Sequence, residues 1–191
     1  MQEIITQARL RPLYFRYEAD FLENSVADAM FMRLERDTRW QEETIAMFGR
    51  KVRVPRGVSW YGQEGLSYRY SGQDHVAHGW PRYLAALCED VAEELAEQPN
   101  FVLLNRYYDG RDYMGWHTDD EATMGSRLAS LSLGATRRFL LQESPTTPRI
   151  QLELAHGSLL IMSGGLRHAL PRTSRRVGTR INLTFRTLAD E

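Results

Sequence analysis

The strongest constraint on this chain is a change of hydrophobic period near Asn100. Before it, apolar residues recur at helical spacing, and after it they fall into short runs. Val26, Met30 and Leu34 form one helical stripe, and Asp20-Phe21-Leu22-Glu23 has the form of a capping box, so a helix is expected over residues 21–36. Leu84, Leu87, Cys88, Val91 and Leu95 form a second stripe with the acids off it, which predicts a helix over 81–97. Beyond Asn100 short strands are expected at 101–108, 115–119, 128–133, 138–142, 150–154, 158–162, 167–169 and 180–186, with a loop tip at Pro145-Thr146-Thr147-Pro148. A helical preface followed by short strands predicts a mainly β fold with flanking helices. Its core would be a jelly-roll sandwich with helices on the outer face of one sheet.

At 191 residues, 42% of them hydrophobic and 26% charged, the chain is expected to form one domain over 1–191. No stretch approaches the roughly 20 apolar residues that span a bilayer, and Met1-Gln2-Glu3-Ile4-Ile5 is not a basic region followed by an apolar run. The expectation is a cytoplasmic protein, a monomer with no membrane partner. Cys88 is the single cysteine, which excludes an internal disulfide and a multi-cysteine zinc site, so a metal would need His, Asp or Glu ligands. A net charge of -1 gives no global attraction to nucleic acid. The distribution is uneven, however: six arginines and no acid lie between Arg167 and Arg186, and Arg50, Lys51, Arg53 and Arg56 crowd a second stretch. Glu89, Asp90, Glu93, Glu94 and Glu97 gather elsewhere, so basic and acidic faces are expected to be separate, unless the clusters are only solvated faces.

His117-Thr118-Asp119 places two metal-ligating side chains at i and i+2, on one face of a strand. His168, near the end of another strand, can supply the third ligand of a 2-His-1-carboxylate triad. Three protein ligands leave open positions on an octahedral iron, which suits oxygen activation. An H-x-D pattern alone is weak, and an isolated His168 would be an ordinary histidine. Context comes from Arg180-Ile181-Asn182-Leu183-Thr184-Phe185-Arg186, where polar and apolar residues alternate. A buried strand with a cationic face needs an anion, and arginine grips a carboxylate through two parallel hydrogen bonds. A dicarboxylate fits; the alternative is a solvent-exposed edge strand.

Together, Asn105-Arg106-Tyr107, His117-Thr118-Asp119-Asp120-Glu121, His168 and the strand bearing Arg180, Asn182, Thr184 and Arg186 resemble, in order and spacing, the AlkB family of nucleic-acid dioxygenases along almost the whole chain. The resemblance is nearest to its duplex-DNA-repairing members. It implies a double-stranded β-helix core over about residues 100–187 and a nucleotide-recognition lid over about 40–75. It also implies Fe(II) on His117, Asp119 and His168, with 2-oxoglutarate and O2 as co-substrates. Arg180, with Tyr107 and Asn182, would hold the far carboxylate of 2-oxoglutarate, and Arg186 with Asn105 the end near the metal, Thr184 supporting the pocket.

The implied reaction is oxidative demethylation of N-alkylated bases such as 1-methyladenine and 3-methylcytosine in DNA, with 2-oxoglutarate converted to succinate and formaldehyde released. A target base must leave its stack to reach such a site. By resemblance, Tyr70 would stack on it opposite His117, while Tyr68, Glu121 and Arg56 contact it or its neighbour. Met47 and Phe48 stand where duplex-preferring relatives carry an apolar wedge; equally, they could staple the early helix to the sheet. Arg172, Arg175 and Arg176 are candidates for phosphate contacts. Two other readings remain: the same oxygenase chemistry on RNA, protein or a small molecule, and a silent jelly-roll binding module.

Overall fold

The computed structural model describes residues 2–4, 13–47, 50–70, 73–119 and 125–189. In chain order the strands before the first long helix are β1 (Gln2–Ile4) and β2 (Leu13–Glu18), followed by α1 (Asn24–Asp37). Then come β3 (Gln41–Met47), β4 (Arg50–Gly62), β5 (Ser67–Tyr70), β6 (Gln73–Val76) and α2 (Arg82–Leu95). The second half contains β7 (Phe101–Tyr107), β8 (Met114–His117), β9 (Arg127–Gly134), β10 (Arg137–Gln142), β11 (Ile150–Leu154), β12 (Ser158–Ser163), β13 (Arg167–Leu170) and β14 (Arg180–Arg186).

The expected order of helices first and strands later is corrected, because six strands precede α2. A major sheet runs β1-β2-β12-β9-β14-β7-β4-β3, a minor sheet β11-β10-β13-β8, and β5-β6 stands as a separate hairpin. All pairings between these strands are antiparallel. The segment read as a lid therefore divides. β3 and β4 extend the edge of the major sheet beside β7, and only β5 and β6 are set apart from it.

Both helices are shorter than expected at their N-terminal ends. α1 begins at Asn24 after Glu23, whose side chain caps nothing, so the capping box read at Asp20 is not formed. Pro81 occupies the cap position of α2 rather than its first turn. The α2 stripe behaves as its period requires: Leu84, Leu87, Cys88, Val91 and Leu95 are all buried against Val102, Leu104, Ala129, Leu131, Leu183 and Phe185 of the major sheet. Burying one such Leu or Phe side chain stabilises the fold by about 1.5–3 kcal/mol, so this helix-on-sheet layer holds the major sheet's outer face.

The inner face is different. Between the two sheets a second apolar cluster contains Phe15, Leu128, Phe139, Leu141, Leu160, Met162 and Leu170. Beside it, β7, β9 and β14 turn polar side chains inward, among them Asn105, Ser130, Ser132, Arg180, Asn182, Thr184 and Arg186, each no more than 7% exposed. β14 lies between β9 and β7, which excludes the alternative of a solvent-exposed edge strand. The sandwich thus has an apolar half and a polar half, and the polar half needs an occupant or extensive hydrogen bonding.

Candidate active site

Register brings the metal-ligating residues together. His168 of β13 lies directly opposite His117 of β8, and their rings are 4.1 Å apart. Asp119 does not sit on the same strand as His117, as the alternation argument required. β8 ends at His117, and Asp119 is held by its own backbone N–H, which donates to the Gly164 carbonyl at 2.9 Å. The three side chains still converge, with ligand atoms all within 4.8 Å of one another.

Several features suit this cluster to a metal ion. The Nδ1 atoms of His117 and His168 each lie 2.9 Å from a backbone carbonyl, of Gly115 and Leu166 respectively. A proton on each Nδ1 would make those contacts hydrogen bonds and leave both Nε2 lone pairs turned to the Asp119 carboxylate, at 3.8 and 3.6 Å. Burial pushes the His168 imidazolium down to about 4, with the neighbouring His117 charge adding to the effect, so the ring is neutral near pH 7. For Asp119, burial works to raise the carboxyl. The charges of Arg186, His168 and His117 overcome it and hold the group below the ordinary carboxylate range. Asp119 Oδ2 accepts from Arg186 at 2.9 Å, whereas Oδ1 is buried without a hydrogen-bond partner among the described residues. A buried carboxylate that keeps one oxygen without a hydrogen-bond partner among the described residues and faces two imidazole Nε2 atoms is the donor set of a cation site.

The polar half of the sandwich opens beside this triad as a cavity lined by residues of both sheets. Its floor includes Arg180, Asn182, Thr184 and Arg186 of β14, with Asn105 and Tyr107 from the neighbouring β7. Arg180 is 2% exposed, donates to Ser132 at 2.9 Å, stands 5.4 Å from the Tyr107 ring, and has no carboxylate partner among the described residues. Its Nε makes no hydrogen bond. Burial lowers its guanidinium to about 10, partly offset by Tyr107, yet it stays cationic at neutral pH. An uncompensated buried cation at the end of a polar cavity fits the carboxylate of a small dianion. Asn182 donates to Ser130 at 2.7 Å and accepts from Thr184 at 3.0 Å, which fixes the wall between the two arginines.

The sequence reading missed three contributors. Ser130 and Ser132 alternate with the leucines of β9, a pattern visible in Leu128-Ala129-Ser130-Leu131-Ser132-Leu133. Arg137, 2% exposed, donates to the carbonyls of Asp109, Asp112 and Pro171 at 2.9–3.0 Å and ties together the loops that follow β7 and β13. No local signal distinguishes it from Arg138 beside it.

The residues expected around a target base fare unevenly. Arg56 is buried, and its Nε donates to Asn105 Oδ1 at 2.6 Å, so β4 reaches into the cavity wall. That bond leaves the Asn105 amide nitrogen as the donor available elsewhere. Phe48 and Glu121 lie outside the described residues, and Met47, Tyr68 and Tyr70 are described in backbone only.

Comparison with known proteins agrees with this geometry. The model of the family described as "2OG-Fe(II) oxygenase superfamily" matches residues 15–186. The chain is 37% identical over 179 residues to DNA oxidative demethylase ALKBH2 of Mus musculus, covering 85% of this chain and 75% of that protein. To the Homo sapiens protein of the same name it is 35% identical, covering 85% and 69%. To alpha-ketoglutarate-dependent dioxygenase alkB homolog 3 of Bos taurus it is 33% identical, covering 88% and 64%. Among solved structures, OsALKBH1 matches with a TM-score of 0.67 at 18% identity, covering 91% of this chain and 97% of that one, a likeness of fold.

Proposed function

The chain belongs to the 2OG-Fe(II) oxygenase superfamily, within the AlkB family, and on that premise we propose that it oxidatively demethylates N-alkylated bases in DNA. The observation that carries the reading is the union, in one cavity, of a 2-His-1-carboxylate cluster and a buried arginine that has no carboxylate partner among the described residues. Two relatives, matched over 75% and 69% of their length, are named DNA oxidative demethylases, which supports the substrate class, and a third, matched over 64%, is named an alpha-ketoglutarate-dependent dioxygenase, which supports the chemistry.

In this reading His117, Asp119 and His168 hold Fe(II). Arg180, with Tyr107 and Asn182 beside it, takes the far carboxylate of 2-oxoglutarate. Arg186 and Asn105 serve the end near the metal, with Thr184 supporting the wall. Bound there, iron with 2-oxoglutarate and O2 would supply the oxidation of the methyl group, one oxygen atom going to the methyl carbon, which leaves as formaldehyde, and the other to 2-oxoglutarate, which is decarboxylated to succinate and CO2. What the chain itself contributes is placement and electrostatics. Arg186 holds the Asp119 carboxylate in one orientation at 2.9 Å, and the Gly115 and Leu166 carbonyls fix the two imidazoles. Phe139 and Leu170 give the cavity an apolar side that excludes water from the reacting centre. No acid–base pair is required beyond this.

Tyr68, Tyr70, Glu121 and Arg56 are assigned to the flipped base, Arg172, Arg175 and Arg176 to phosphates, and Met47 with Phe48 to the gap left in a duplex. The wedge assignment predicts that Phe48→Ala lowers repair of duplex substrate more than that of single strands; equal loss on both rejects it.

The test of the function is incubation with Fe(II), ascorbate, 2-oxoglutarate and air on single- and double-stranded DNA carrying 1-methyladenine, with methyl loss followed by mass spectrometry. Loss that requires 2-oxoglutarate and vanishes in His117→Ala supports the reading. Succinate formation without demethylation moves the substrate to RNA, protein or a small molecule.

A further inference from the structure

Trp116 precedes His117 in β8, and Arg167 precedes His168 in β13, so alternation turns both away from the cavity to the outer face of the minor sheet. There the Arg167 guanidinium stands 5.4 Å from the Trp116 ring centroid, and that of Arg149, just before β11, stands 5.5 Å from the same ring. Two cations thus share one indole, immediately behind the strand positions that carry the metal-ligating histidines.

The arrangement is built rather than incidental. Arg167 donates to Gln142 Oε1 at 3.3 Å, and Gln142, 5% exposed, donates in turn to the carbonyls of Thr147 at 2.7 Å and Pro145 at 3.4 Å. The same turn is closed by Ser144 N–H donating to Thr147 Oγ1. Through Gln142 the turn that delivers Arg149 is therefore tied to Arg167. Neither guanidinium pairs with a carboxylate among the described residues, and Arg149 is exposed. An exposed cation–π contact gives each arginine only about 0.5–1 kcal/mol. The like charges oppose their shared placement, and an anion bound at the pair would reverse that cost.

We propose that Arg149, Trp116 and Arg167 form a phosphodiester subsite that takes the backbone of the substrate nucleic acid on the outer face of the minor sheet, away from the nucleotide whose base enters the cavity. This rests on the nucleic-acid reading above and adds a contact surface on the minor sheet, separate from the lid and from the loop of Arg172, Arg175 and Arg176. Its role is to hold the nucleic acid against the protein without reading sequence.

The experiment is fluorescence anisotropy of an unmodified, labelled single-stranded oligonucleotide, titrated with protein at several salt concentrations. Each phosphate neutralised on a single strand contributes about -0.7 to the slope of log affinity against log salt. The double variant R149Q/R167Q is expected to bind about tenfold more weakly at low salt and to lose about 0.7 from that slope, the contribution of the one phosphodiester that the subsite takes. R149Q alone, in an exposed position that folding does not depend on, should lose about half as much, and R149K should restore most of it. R33Q on α1 removes a charge from the other layer and should leave the slope unchanged. Formation of succinate without substrate should be the same in wild type and R149Q. If wild type binds with a steep slope that R149Q and the double variant retain, the subsite is overturned while the nucleic-acid reading stands. If wild type shows no salt-dependent binding and removes no methyl from DNA, the nucleic-acid reading fails and the subsite fails with it.

Discussion

At Arg180, burial and charge pull in opposite directions. Desolvation lowers its guanidinium to about 10, but the group is still protonated at neutral pH, 2% exposed, and left with one unused Nε–H. A planar fork with free donors is matched to a carboxylate in a way that a lysine ammonium is not. Arg180→Lys keeps the charge and loses the fork. A charge-assisted hydrogen bond contributes about 1.5–3 kcal/mol, so binding of 2-oxoglutarate to the Mn(II)-loaded protein should weaken roughly tenfold to a hundredfold. Affinity for Mn(II) alone should not change, because Arg180 touches none of the metal-ligating side chains. Calorimetry of the two titrations separates the outcomes, and an unaltered 2-oxoglutarate affinity would remove Arg180 from the site.

His168 gives a second test that needs no activity. Its folded value, pushed by burial to about 4, lies below the ordinary histidine value of 6.5. Between these values the unfolded chain binds more protons than the folded one, so stability is present above about pH 6.5 and is lost as pH falls toward 4. The metal-free protein should therefore melt at lower temperature as pH drops through that window. His168→Gln should show a smaller drop, and an identical drop would mean that other groups govern it.

At the level of elements, α1 shows where local signals and tertiary structure part. Its stripe at Val26, Met30 and Leu34 was legible, yet only Ala27 and Leu34 are buried, and Val26 is 48% exposed. The Asp20 capping box was read three residues early because the chain makes a turn at residues 19–22 first, tying Leu22 N–H to the Gly157 carbonyl at 3.0 Å. Glu23 now stands at the cap with φ -57 and ψ 145 and offers no side-chain bond. Glu23→Ser should raise stability by about 0.5–1 kcal/mol, the value of a supplied N-cap. Urea unfolding would measure it, and a neutral or lower midpoint would mean that the first turn's donors are satisfied by solvent.

The strands after Asn100 were legible because each is a short apolar run bounded by turn residues, and β14 because its two faces differ so sharply. β2, β3 and β4 were not, since Leu13–Glu18 and Arg50–Gly62 carry many polar residues and gain strand geometry only from the neighbours that pair with them. The metal-ligating residues were legible as types, but Asp119 reaches the site through a loop bond to Gly164 rather than by strand alternation. Arg137 and the Arg56–Asn105 bond were invisible, because their meaning depends on which loops and strands meet.

Across the whole molecule, the two sheets divide the labour. The major sheet is anchored by helices on its outer face and contributes the anion-holding strand β14 to its inner face. The minor sheet brings His117 and His168 across from it, so that Asp119 and Arg186 meet between the layers at 2.9 Å. These two halves form a single site, in which metal and 2-oxoglutarate would bind next to each other. Anaerobic titration of the Fe(II)-loaded protein with 2-oxoglutarate tests it most directly, through the visible charge-transfer band of iron chelated by a 2-oxo acid. The band should appear on addition of 2-oxoglutarate, be absent in His117→Ala, and in Arg180→Lys require higher 2-oxoglutarate concentrations. Absence of the band in wild-type protein that has bound iron would contradict it.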